Sequence, residues 1–236
     1  SLTVPFAITQ GLILNTGLAL ANKEQNALES SMSKRQILWL IPAVIYTLFT
    51  FWYTDFGGPL TEQEIAEFSK PLTQRMPPDQ LQYITQFMRN DTGRQFLMVN
   101  IIDNNENPPD VEGAEPGESA DQLMGRYMEH MYAQLSKRAS HPVIAGVAVH
   151  DALDLVGVED WETAQQWTTA AMMRYRSRRT FMEIITHPDM VDRHEFKIAA
   201  LDKTIAYPIE MQLYLSDPRL LLGLILLIVT LMLDKL

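Results

Sequence analysis

The stretch MMRYRSRRTFMEIITHPDM, residues 172–190, joins a predicted β-strand to a predicted α-helix. Its second half has apolar residues at the spacing of one helix face, and Ser177 is a favourable N-cap for a helix that begins there. Four arginines nevertheless lie between 174 and 179, where the helix dipole is positive and cations are disfavoured. The sequence therefore predicts that acidic groups or water surround this junction.

The elements on both sides of the junction predict the fold. Strands are expected where apolar and β-branched residues cluster, and helices where apolar residues recur on one face. In chain order the expected elements are a strand at 96–102, a helix at 121–137, strands at 143–150 and 167–176, a helix from Ser177, and a strand at 204–213. This β-α-β-β-α-β order predicts an α+β, ferredoxin-like plait, in which two helices cover one face of a four-stranded antiparallel sheet.

Composition narrows the classes of partner and site. The chain has 236 residues and a formal net charge of -10, which makes nucleic acid an unsuitable partner. It contains no cysteine, which excludes disulfides and thiolate metal sites. No cofactor motif is visible, so no cofactor is expected.

Two uncharged runs predict transmembrane helices on either side of the plait. Residues 37–53, ILWLIPAVIYTLFTFWY, have tryptophans near both ends, as in helices whose ends lie at the two membrane interfaces. Residues 220–236 are apolar but barely reach the roughly 20 residues that a bilayer requires. The predicted organisation is a hydrophobic or interfacial segment at 1–35, a transmembrane helix at 36–54, a helical stalk or lid at 55–93, a ferredoxin-like α/β-barrel domain at 94–215 and a transmembrane helix at 219–236.

The N-terminal segment has two interpretations, and the charges beside the first span predict the side of the membrane on which the domain lies. Residues 4–21 carry no charge and have small or polar residues every four positions, so the segment either spans the bilayer or lies on it. Lys34 and Arg35 precede the first span, and the positive-inside rule places them in the cytoplasm. This predicts a bacterial inner-membrane protein whose soluble domain faces the periplasm.

The junction also carries a family resemblance. The stretches MRYRSRRTFMEIITHPDM (173–190) and HEFKIAALDKTIAYP (194–208) resemble the dimeric α/β-barrel superfamily. The nearest likeness is to a branch of small, largely uncharacterised proteins with a YRSRR-type strand-to-helix junction, and it covers about residues 94–212. Relatives include heme-degrading and quinone-forming monooxygenases, muconolactone isomerase-like enzymes and chlorite dismutase-like proteins. The resemblance implies two plaits that pack sheet to sheet around a cavity.

Strand alternation predicts which side chains face that cavity. The set expected to face the helices is Leu97, Val99, Ile101, Ala145, Val147, Val149, Ala171, Met173 and Tyr175. The set expected to face the cavity is Met98, Asn100, Ile144, Ala148, His150, Met172, Arg174 and Arg176. Asn100, His150 and Arg174 are therefore predicted to converge as ligand-binding residues. His150 is either a base or cofactor ligand or a solvated residue, and Arg174 either binds an anion or forms an ion pair across the dimer.

Two further groups of side chains have alternative interpretations. Arg176, Arg178 and Arg179 are expected to form an electrostatic junction with acidic residues of the loop between the first strand and the first helix of the plait. The residues expected to supply the negative charge are Asp110, Glu112, Glu115 and Glu118. Met124, Met128 and Met131 beside His130 form a possible Cu(I) site, although methionines at this spacing more often pack a core. No metal site is expected.

These observations predict a membrane-anchored accessory or scaffold subunit of a larger membrane assembly. Its expected partners are other membrane subunits, a second copy of itself and the lipid bilayer. The alternative is a monooxygenase-like or isomerase-like enzyme that acts on a small aromatic, quinone-like or lipidic substrate in the barrel cavity. The sequence shows no complete catalytic set, so the accessory role is the preferred hypothesis.

Overall fold

The computed structural model describes residues 33–191 and 193–235, and the chain divides into two compact units. One unit comprises residues 1–50 and 215–236, and the other comprises residues 51–214. The predicted hydrophobic segment at 4–21 lies outside the described residues, as does Leu236.

The larger unit contains one four-stranded antiparallel sheet with the spatial order β2-β3-β1-β4. The strands are β1 Phe96–Asn104, β2 His141–Val147, β3 Thr169–Tyr175 and β4 Leu201–Ile209. The described helices are α1 Ser33–Tyr53, α2 Glu62–Thr73, α3 Pro78–Arg89, α4 Ala120–Lys137, α5 Trp161–Gln165, α6 Arg178–Ile185, α7 Pro188–Val191, α8 His194–Ala200 and α9 Pro218–Asp234. The predicted α+β class and the four-stranded antiparallel sheet are confirmed.

The core lies between the sheet and helices α4, α6 and α8. Phe96 of β1 and Tyr175 of β3 stack with ring centroids 5.3 Å apart, and Phe181 of α6 meets the Tyr175 ring edge-on at 4.9 Å. Leu123 of α4 and Phe196 of α8 are buried in the same cluster. The second helix of the plait, predicted as one segment, is three short helices.

The predicted facing of β1 is wrong. Phe96 pairs with Tyr175 and Met98 pairs with Met173, and directly paired residues lie on the same face of a sheet. Phe96 is buried in the core and Met98 packs against it, so these residues face the helices, whereas Leu97 lies on the other face with its partner Arg174. The run FLMVNII is apolar on both faces, so alternation of polarity does not determine which face points inward.

Helices α2 and α3 pack against α6 in a second core cluster. Ile65 and Leu72 of α2, Met88 of α3 and Met182 of α6 are buried together. At the start of α2, the Thr61 side chain accepts a hydrogen bond from the Glu64 amide and the Glu64 side chain accepts one from the Thr61 amide, which together form a capping box. Residues 55–93 therefore share a buried core with the strand-to-helix junction.

The smaller unit contains α9 and most of α1 as an antiparallel pair. Arg35 near the start of α1 forms an ion pair with Asp234 at the end of α9, with 3.0 Å between Nε and Oδ1. Further along, a Cβ added at Gly223 of α9 would lie 3.2 Å from the Tyr46 ring of α1, so the two helices touch there. The same number of residues separates the two contacts on each helix, which shows that the helices run side by side.

Among the described residues, α1 is the one helix long and apolar enough to cross a membrane. It has 21 residues with a mean hydropathy of 1.4. Helix α9 has 17 residues, fewer than the roughly 20 that span a bilayer without adjustment. The predicted pair of flanking transmembrane helices is therefore not confirmed as a pair.

Candidate functional site

The strand-to-helix junction begins with Ser177, which is fully buried. Its hydroxyl accepts a hydrogen bond from the Thr180 amide at 3.1 Å and donates one to Asp55 Oδ2 at 2.5 Å. The first contact is the N-cap that the sequence predicts. The second connects the start of α6 to the segment that follows α1.

Arg179 hydrogen-bonds that same segment. Its Nε donates to Glu64 Oε1 at 2.6 Å, and its NH1 lies 3.4 Å from Asp55 Oδ2. The guanidinium also donates to the carbonyl oxygens of Gly58 and Pro59 at 3.3 and 3.4 Å. One side chain thus bonds to four positions between 55 and 64, and it is only 18% exposed.

Arg178 makes a different set of contacts. Its NH1 donates to the Phe87 carbonyl at 2.7 Å and its NH2 donates to Glu210 Oε1 at 3.1 Å, while its Nε lies 3.7 Å from Asp91 Oδ1. The guanidinium carbon lies 4.8 Å from the centre of the Phe87 ring. Arg178 therefore connects α6 to the end of α3 and to the residue that follows β4.

The acidic partners of the junction are Asp55, Glu64, Asp91 and Glu210. Acidic side chains lie beside Arg178 and Arg179, but the predicted source in the loop Asp110, Glu112, Glu115 and Glu118 is wrong. The junction lies at the end of the sheet where β1 begins, because Phe96 pairs with Tyr175. The acidic loop follows the opposite end of β1, and its Glu118 accepts from Arg126 Nε at 2.7 Å.

The junction alters the ionisation of its carboxyl groups. Hydrogen bonds from Arg179 and from the Thr61 amide lower the pKa of Glu64 to about 2, from an ordinary value of 4.5. Burial acts to raise the pKa of Asp55, but the Ser177 hydroxyl, the Gly57 amide and the neighbouring arginines lower it below 3.8. Both groups are therefore carboxylates at neutral pH, as the arginine contacts require.

Arg174 is the largest of the fully buried side chains in the described part of the chain, with no exposed surface. Its NH2 donates to the Tyr53 carbonyl at 2.9 Å, its Nε donates to Gln95 Oε1 at 3.0 Å, and its NH1 donates to the Ala139 carbonyl. Its guanidinium carbon lies 3.6 Å from the centre of the Tyr53 ring. The side chain is therefore bound to backbone and amide oxygens and stacked on an aromatic ring.

Ala139 has an unusual backbone conformation, and Tyr53 makes a further hydrogen bond. Ala139 has φ 50°, in the left-handed region that favours glycine, and its carbonyl is one of the acceptors of Arg174. The Tyr53 hydroxyl lies 2.7 Å from His141 Nε2, and His141 Nδ1 lies 2.9 Å from the Pro142 carbonyl. A carbonyl only accepts, so Nδ1 carries the proton and, in neutral His141, Nε2 accepts from the tyrosine.

The structure does not bring Asn100 and His150 to Arg174. Asn100 pairs with Ala171 and Ala206, which puts it on the face opposite to that of Arg174, and its side chain donates to the Met98 carbonyl at 3.1 Å. His150 lies beyond the end of β2 and is exposed. The prediction that the three converge fails because β1 has the opposite facing and β2 ends three residues earlier than expected.

Arg176 contributes to the junction mainly through its backbone. Its amide donates to the Ser140 hydroxyl at 3.1 Å. Burial acts to raise the pKa of Asp55, and the charge of Arg176 is the smallest of the effects that lower it, after those of Ser177, Gly57 and Arg179. Its Nε is buried without a hydrogen-bond partner in the described part of the chain.

The methionines of α4 pack the core. Met131 is buried in the main cluster, and Met124 and Met128 pack against it. His130 lines a cleft of about 820 Å³. Within residues 33–191 and 193–235, no three His, Cys, Asp or Glu side chains are grouped so that they could hold a metal ion.

The cleft beside His130 is large enough to hold a ligand. Its lining residues are Glu112, Gly113, His130, Pro188, Asp189, Arg193, Glu195 and Phe196. Three of these carry carboxylates, and Arg193 lies over the Phe196 ring with its guanidinium carbon 5.6 Å from the ring centre. A cleft with this lining suits a polar or cationic ligand better than an apolar one.

The sheet face that carries Arg174 is open and apolar toward its outer strands. Strand pairing places Ile144, Ile205, Tyr207 and Ile209 on this face, and they are 59%, 48%, 45% and 38% exposed. These four residues together are called the open sheet face. Ile144 lies on one edge strand and the other three lie on the opposite edge strand, while Leu97, Val99 and Arg174 between them are buried. Exposed apolar side chains on a sheet face are common at interfaces.

Sequence comparisons give no family for the chain. No protein-family model matches it, and no curated protein matches it.

Several solved structures are similar in part. A protein of unknown function from Rhodopseudomonas palustris is 18% identical, with a TM-score of 0.46, and the match covers 59% of this chain and 97% of that one. A dimeric protein of unknown function and ferredoxin-like fold from Bacteroides fragilis is 12% identical, with 50% and 96% covered and a TM-score of 0.31. A cofactor-independent oxygenase from Streptomyces nogalater is 8% identical, with 52% and 98% covered and a TM-score of 0.32. These TM-scores are below 0.5, so the likenesses carry no weight for the function of this chain.

The contact between Glu64 and Arg179 predicts a specific acid sensitivity. The folded-state pKa of Glu64 is about 2 and its ordinary value is 4.5. The folded state therefore favours the carboxylate, so its contribution to stability is complete above about pH 4.5 and is lost as the pH falls toward 2. Glu64→Gln should lower the free energy of unfolding at pH 7 by about 1 kcal/mol, a modest loss because the ion pair is partly solvated. As the pH falls from about 4.5 toward 2, the free energy of unfolding of this variant should decrease less steeply than that of the unmodified chain.

Urea denaturation at a series of pH values measures this effect. Glu67→Gln is the matched control, because Glu67 lies on the same helix and accepts from Gln63 at 3.0 Å without an arginine contact among the described residues. Identical pH dependence in Glu64→Gln and the unmodified chain would show that the ion pair does not stabilise the fold.

Proposed function

We propose that this chain is a membrane-anchored accessory or scaffold subunit whose ferredoxin-like domain self-associates through the open sheet face. The anchor is the helical unit of α1 and α9, and the membrane is a bacterial inner membrane with the domain on the periplasmic side. The domain then offers a folded surface to other membrane subunits and to a second copy.

The observation that carries this proposal is the exposure of apolar side chains along α1 and α9. Large hydrophobic side chains of both helices, which the pair does not bury against each other, are 38% to 66% exposed. They include Ile37, Leu40, Ile41, Leu48 and Phe51 of α1 and Leu221, Ile225, Ile228, Met232 and Leu233 of α9. Water is a poor solvent for such a surface, whereas hydrocarbon is a good one.

The ends of the helical unit support the proposed sidedness. Lys34, Arg35 and Lys235 lie at the end where α1 begins and α9 finishes, since Arg35 contacts Asp234. Cytoplasmic ends of membrane helices carry an excess of lysine and arginine. The other ends of both helices lead covalently into the domain, which the proposal therefore assigns to the periplasm.

Self-association is supported by the open sheet face. The outer strands of this face expose Ile144, Ile205, Tyr207 and Ile209 to water, and burying a side chain such as isoleucine contributes about 1.5–3 kcal/mol. Oxygen atoms of Tyr53, Gln95 and Ala139 already accept the hydrogen bonds of Arg174. No group of a second copy is therefore needed to satisfy this buried cation, and the exposed side chains on the outer strands of the face are apolar. Two copies that pack sheet to sheet would remove that surface from water.

A second candidate is an enzyme that acts on a small aromatic, quinone-like or lipidic substrate. The cleft of about 820 Å³ beside His130 favours it, because ligand sites commonly occupy 300–1,000 Å³. Its acidic lining, with Glu112, Asp189 and Glu195, is poorly matched to an apolar substrate. The accessory role is therefore the better supported proposal.

The proposed topology can be tested with single cysteines, because the chain has none. Tyr83→Cys places a thiol at a position that is 78% exposed in the domain, and Lys235→Cys places one after α9. In intact cells, a membrane-impermeant maleimide with access to the periplasm should label Tyr83→Cys and leave Lys235→Cys unlabelled until the cells are lysed. The reverse pattern would contradict the sidedness, and recovery of the chain in the soluble fraction would contradict the anchor.

Self-association is tested by charge on the open sheet face. Ile144→Asp should convert the detergent-solubilised dimer to a monomer, since two carboxylates would have to be buried unpaired. Ile198→Asp is a matched control, because Ile198 is also 59% exposed but lies on α8. Analytical ultracentrifugation reports the mass of each. A dimer that survives Ile144→Asp, or an unmodified chain that is monomeric at high concentration, would refute the sheet interface.

A further inference from the structure

We propose that Arg176 binds the phosphate group of a membrane lipid beside the end of α1. The chemistry is that of a phosphate oxyanion held by a guanidinium group, and a phospholipid is its source. This inference rests on the proposed membrane anchor and adds a headgroup site to it. The residues that carry it, 51–56 and 176, all belong to the larger unit.

Arg176 is the one arginine of the junction whose guanidinium has no acceptor among the described residues. The guanidinium of Arg174 donates to oxygen atoms of the chain, and those of Arg178 and Arg179 contact carboxylates at 3.1 and 2.6 Å. The side chain of Arg176 makes no hydrogen bond or ion pair within the described chain, and its Nε is buried. Arg176 is partly exposed. A charged donor group in this state favours an anion from outside the chain.

The contacts of neighbouring residues place Arg176 beside the end of α1. Arg174, two residues earlier on the same strand, donates to the Tyr53 carbonyl at 2.9 Å. Ser177, the next residue, donates to Asp55 Oδ2 at 2.5 Å. Tyr53 is the last residue of α1. Arg176 therefore lies along the segment that directly follows this helix.

The nearby carboxylate of Asp55 is already bound by other groups. It accepts from the Ser177 hydroxyl and from the Gly57 amide at 2.8 Å, and it lies 3.4 Å from Arg179 NH1. No hydrogen bond joins it to Arg176 in the described chain. Asp55 thus leaves the guanidinium of Arg176 in need of another acceptor.

The segment at the end of α1 also exposes three aromatic rings. Phe51, Trp52 and Phe56 are 62%, 49% and 64% exposed. The rings of Phe51 and Phe56 lie 5.1 Å apart between their centroids, so the apolar surface of the last turn of α1 continues past the end of the helix. Tryptophan is enriched at the level of lipid headgroups. This segment therefore combines apolar surface with a nearby cation.

Continuity with α1 and charge identify a phospholipid as the occupant. Among the described residues, α1 is the one helix long and apolar enough to cross a membrane. A lipid phosphate would supply the anion that Arg176 lacks, and the acyl chains would cover the exposed rings. Free phosphate would leave those rings in water. Because the net charge of the chain is -10, attraction to an anionic lipid has to come from a local cation.

Native mass spectrometry of the full chain in non-ionic detergent, titrated with phosphatidylglycerol, measures the dissociation constant of the first bound lipid. Arg176→Gln should weaken binding ~10-fold, because charge-assisted hydrogen bonds to the phosphate are lost. Arg176→Lys should retain part of the affinity, since it keeps the charge. Arg193→Gln is the matched control, because Arg193 is also partly exposed and pairs with no carboxylate among the described residues. It should change the dissociation constant less than about twofold.

Protection from an arginine reagent locates the bound lipid. Phenylglyoxal condenses with guanidinium groups, and peptide mass spectrometry gives the rate at each arginine. Phosphatidylglycerol should slow the reaction of Arg176 at least ~3-fold and leave that of Arg193 unchanged. Equal rates at Arg176 with and without the lipid would overturn the proposal. Circular dichroism verifies that each variant is folded, and if Arg176→Gln does not fold, Arg176→Lys and the protection of the unmodified chain decide.

Two further probes separate a phospholipid from other ligands. Diacylglycerol with the same acyl chains lacks the phosphate and should bind ~10-fold more weakly than phosphatidylglycerol. Equal binding of the two would show that the headgroup is not recognised. Inorganic phosphate at millimolar concentration should not protect Arg176 from phenylglyoxal. Protection as strong as that given by the lipid would make this a site for a free anion and overturn the lipid proposal.

The outcomes also distinguish the headgroup site from the anchor. If the Arg176 variants bind phosphatidylglycerol as tightly as the unmodified chain while the chain is recovered in membranes, the headgroup site is wrong and the anchor stands. If the unmodified chain is recovered in the soluble fraction, the anchor is wrong and the headgroup site fails with it.

Discussion

The buried guanidinium of Arg174 is the interaction on which the rest of the domain depends. A cation taken out of water is costly unless its donors are satisfied, and here carbonyl oxygens of Tyr53 and Ala139 and the side chain of Gln95 accept its hydrogen bonds. The Tyr53 ring stacks on the same group at 3.6 Å. Three separate parts of the chain, at Tyr53, Gln95 and Ala139, are therefore held around one side chain that lies on β3.

The same junction explains how α6 begins with two arginines in its first turn. Cations at this end of a helix oppose the dipole by about 0.3–1 kcal/mol each. Glu64 and Asp55 bind Arg179, while Asp91 and Glu210 lie beside Arg178. These carboxylates come from α2, from the ends of α1 and α3, and from the residue after β4. The arginines thus serve as the points at which the N-terminal helices join the plait.

The sequence was sufficient for the order of the elements and for local features. The N-cap at Ser177, the capping box at Thr61 and the acidic surroundings of Arg178 and Arg179 follow from residue types at short spacing. The sequence also contained information on which carboxylates can pair with the arginines. Because β1 is antiparallel to β3, the loop at 105–118 lies at the end of the sheet far from Tyr175, so its acidic residues could have been excluded as partners. Tyr53, Gln95 and Ala139 give no such signal, since two of them act through backbone carbonyls that every residue has.

The facing of β1 marks a further limit of sequence reasoning. A strand that is apolar on both faces satisfies either arrangement, and only the packing of Phe96 against Tyr175 and Phe181 selects one. This facing puts Asn100 and Arg174 on opposite faces of the sheet, so the three residues predicted to line one cavity do not converge. The Arg174 face carries a cation that is hydrogen-bonded within the chain at one end and exposed apolar side chains on the outer strands.

The free energy of unfolding of an Arg174 variant tests the account most directly. Urea denaturation of the detergent-solubilised chain should show that Arg174→Ala loses about 3–5 kcal/mol, because buried carbonyls lose their donors and the Tyr53 ring loses its stacking partner. Arg174→Lys should recover only part of this loss, since one ammonium group does not reproduce the guanidinium geometry. An Arg174→Ala chain whose stability lies within about 1 kcal/mol of the unmodified chain would contradict the central role assigned to this side chain.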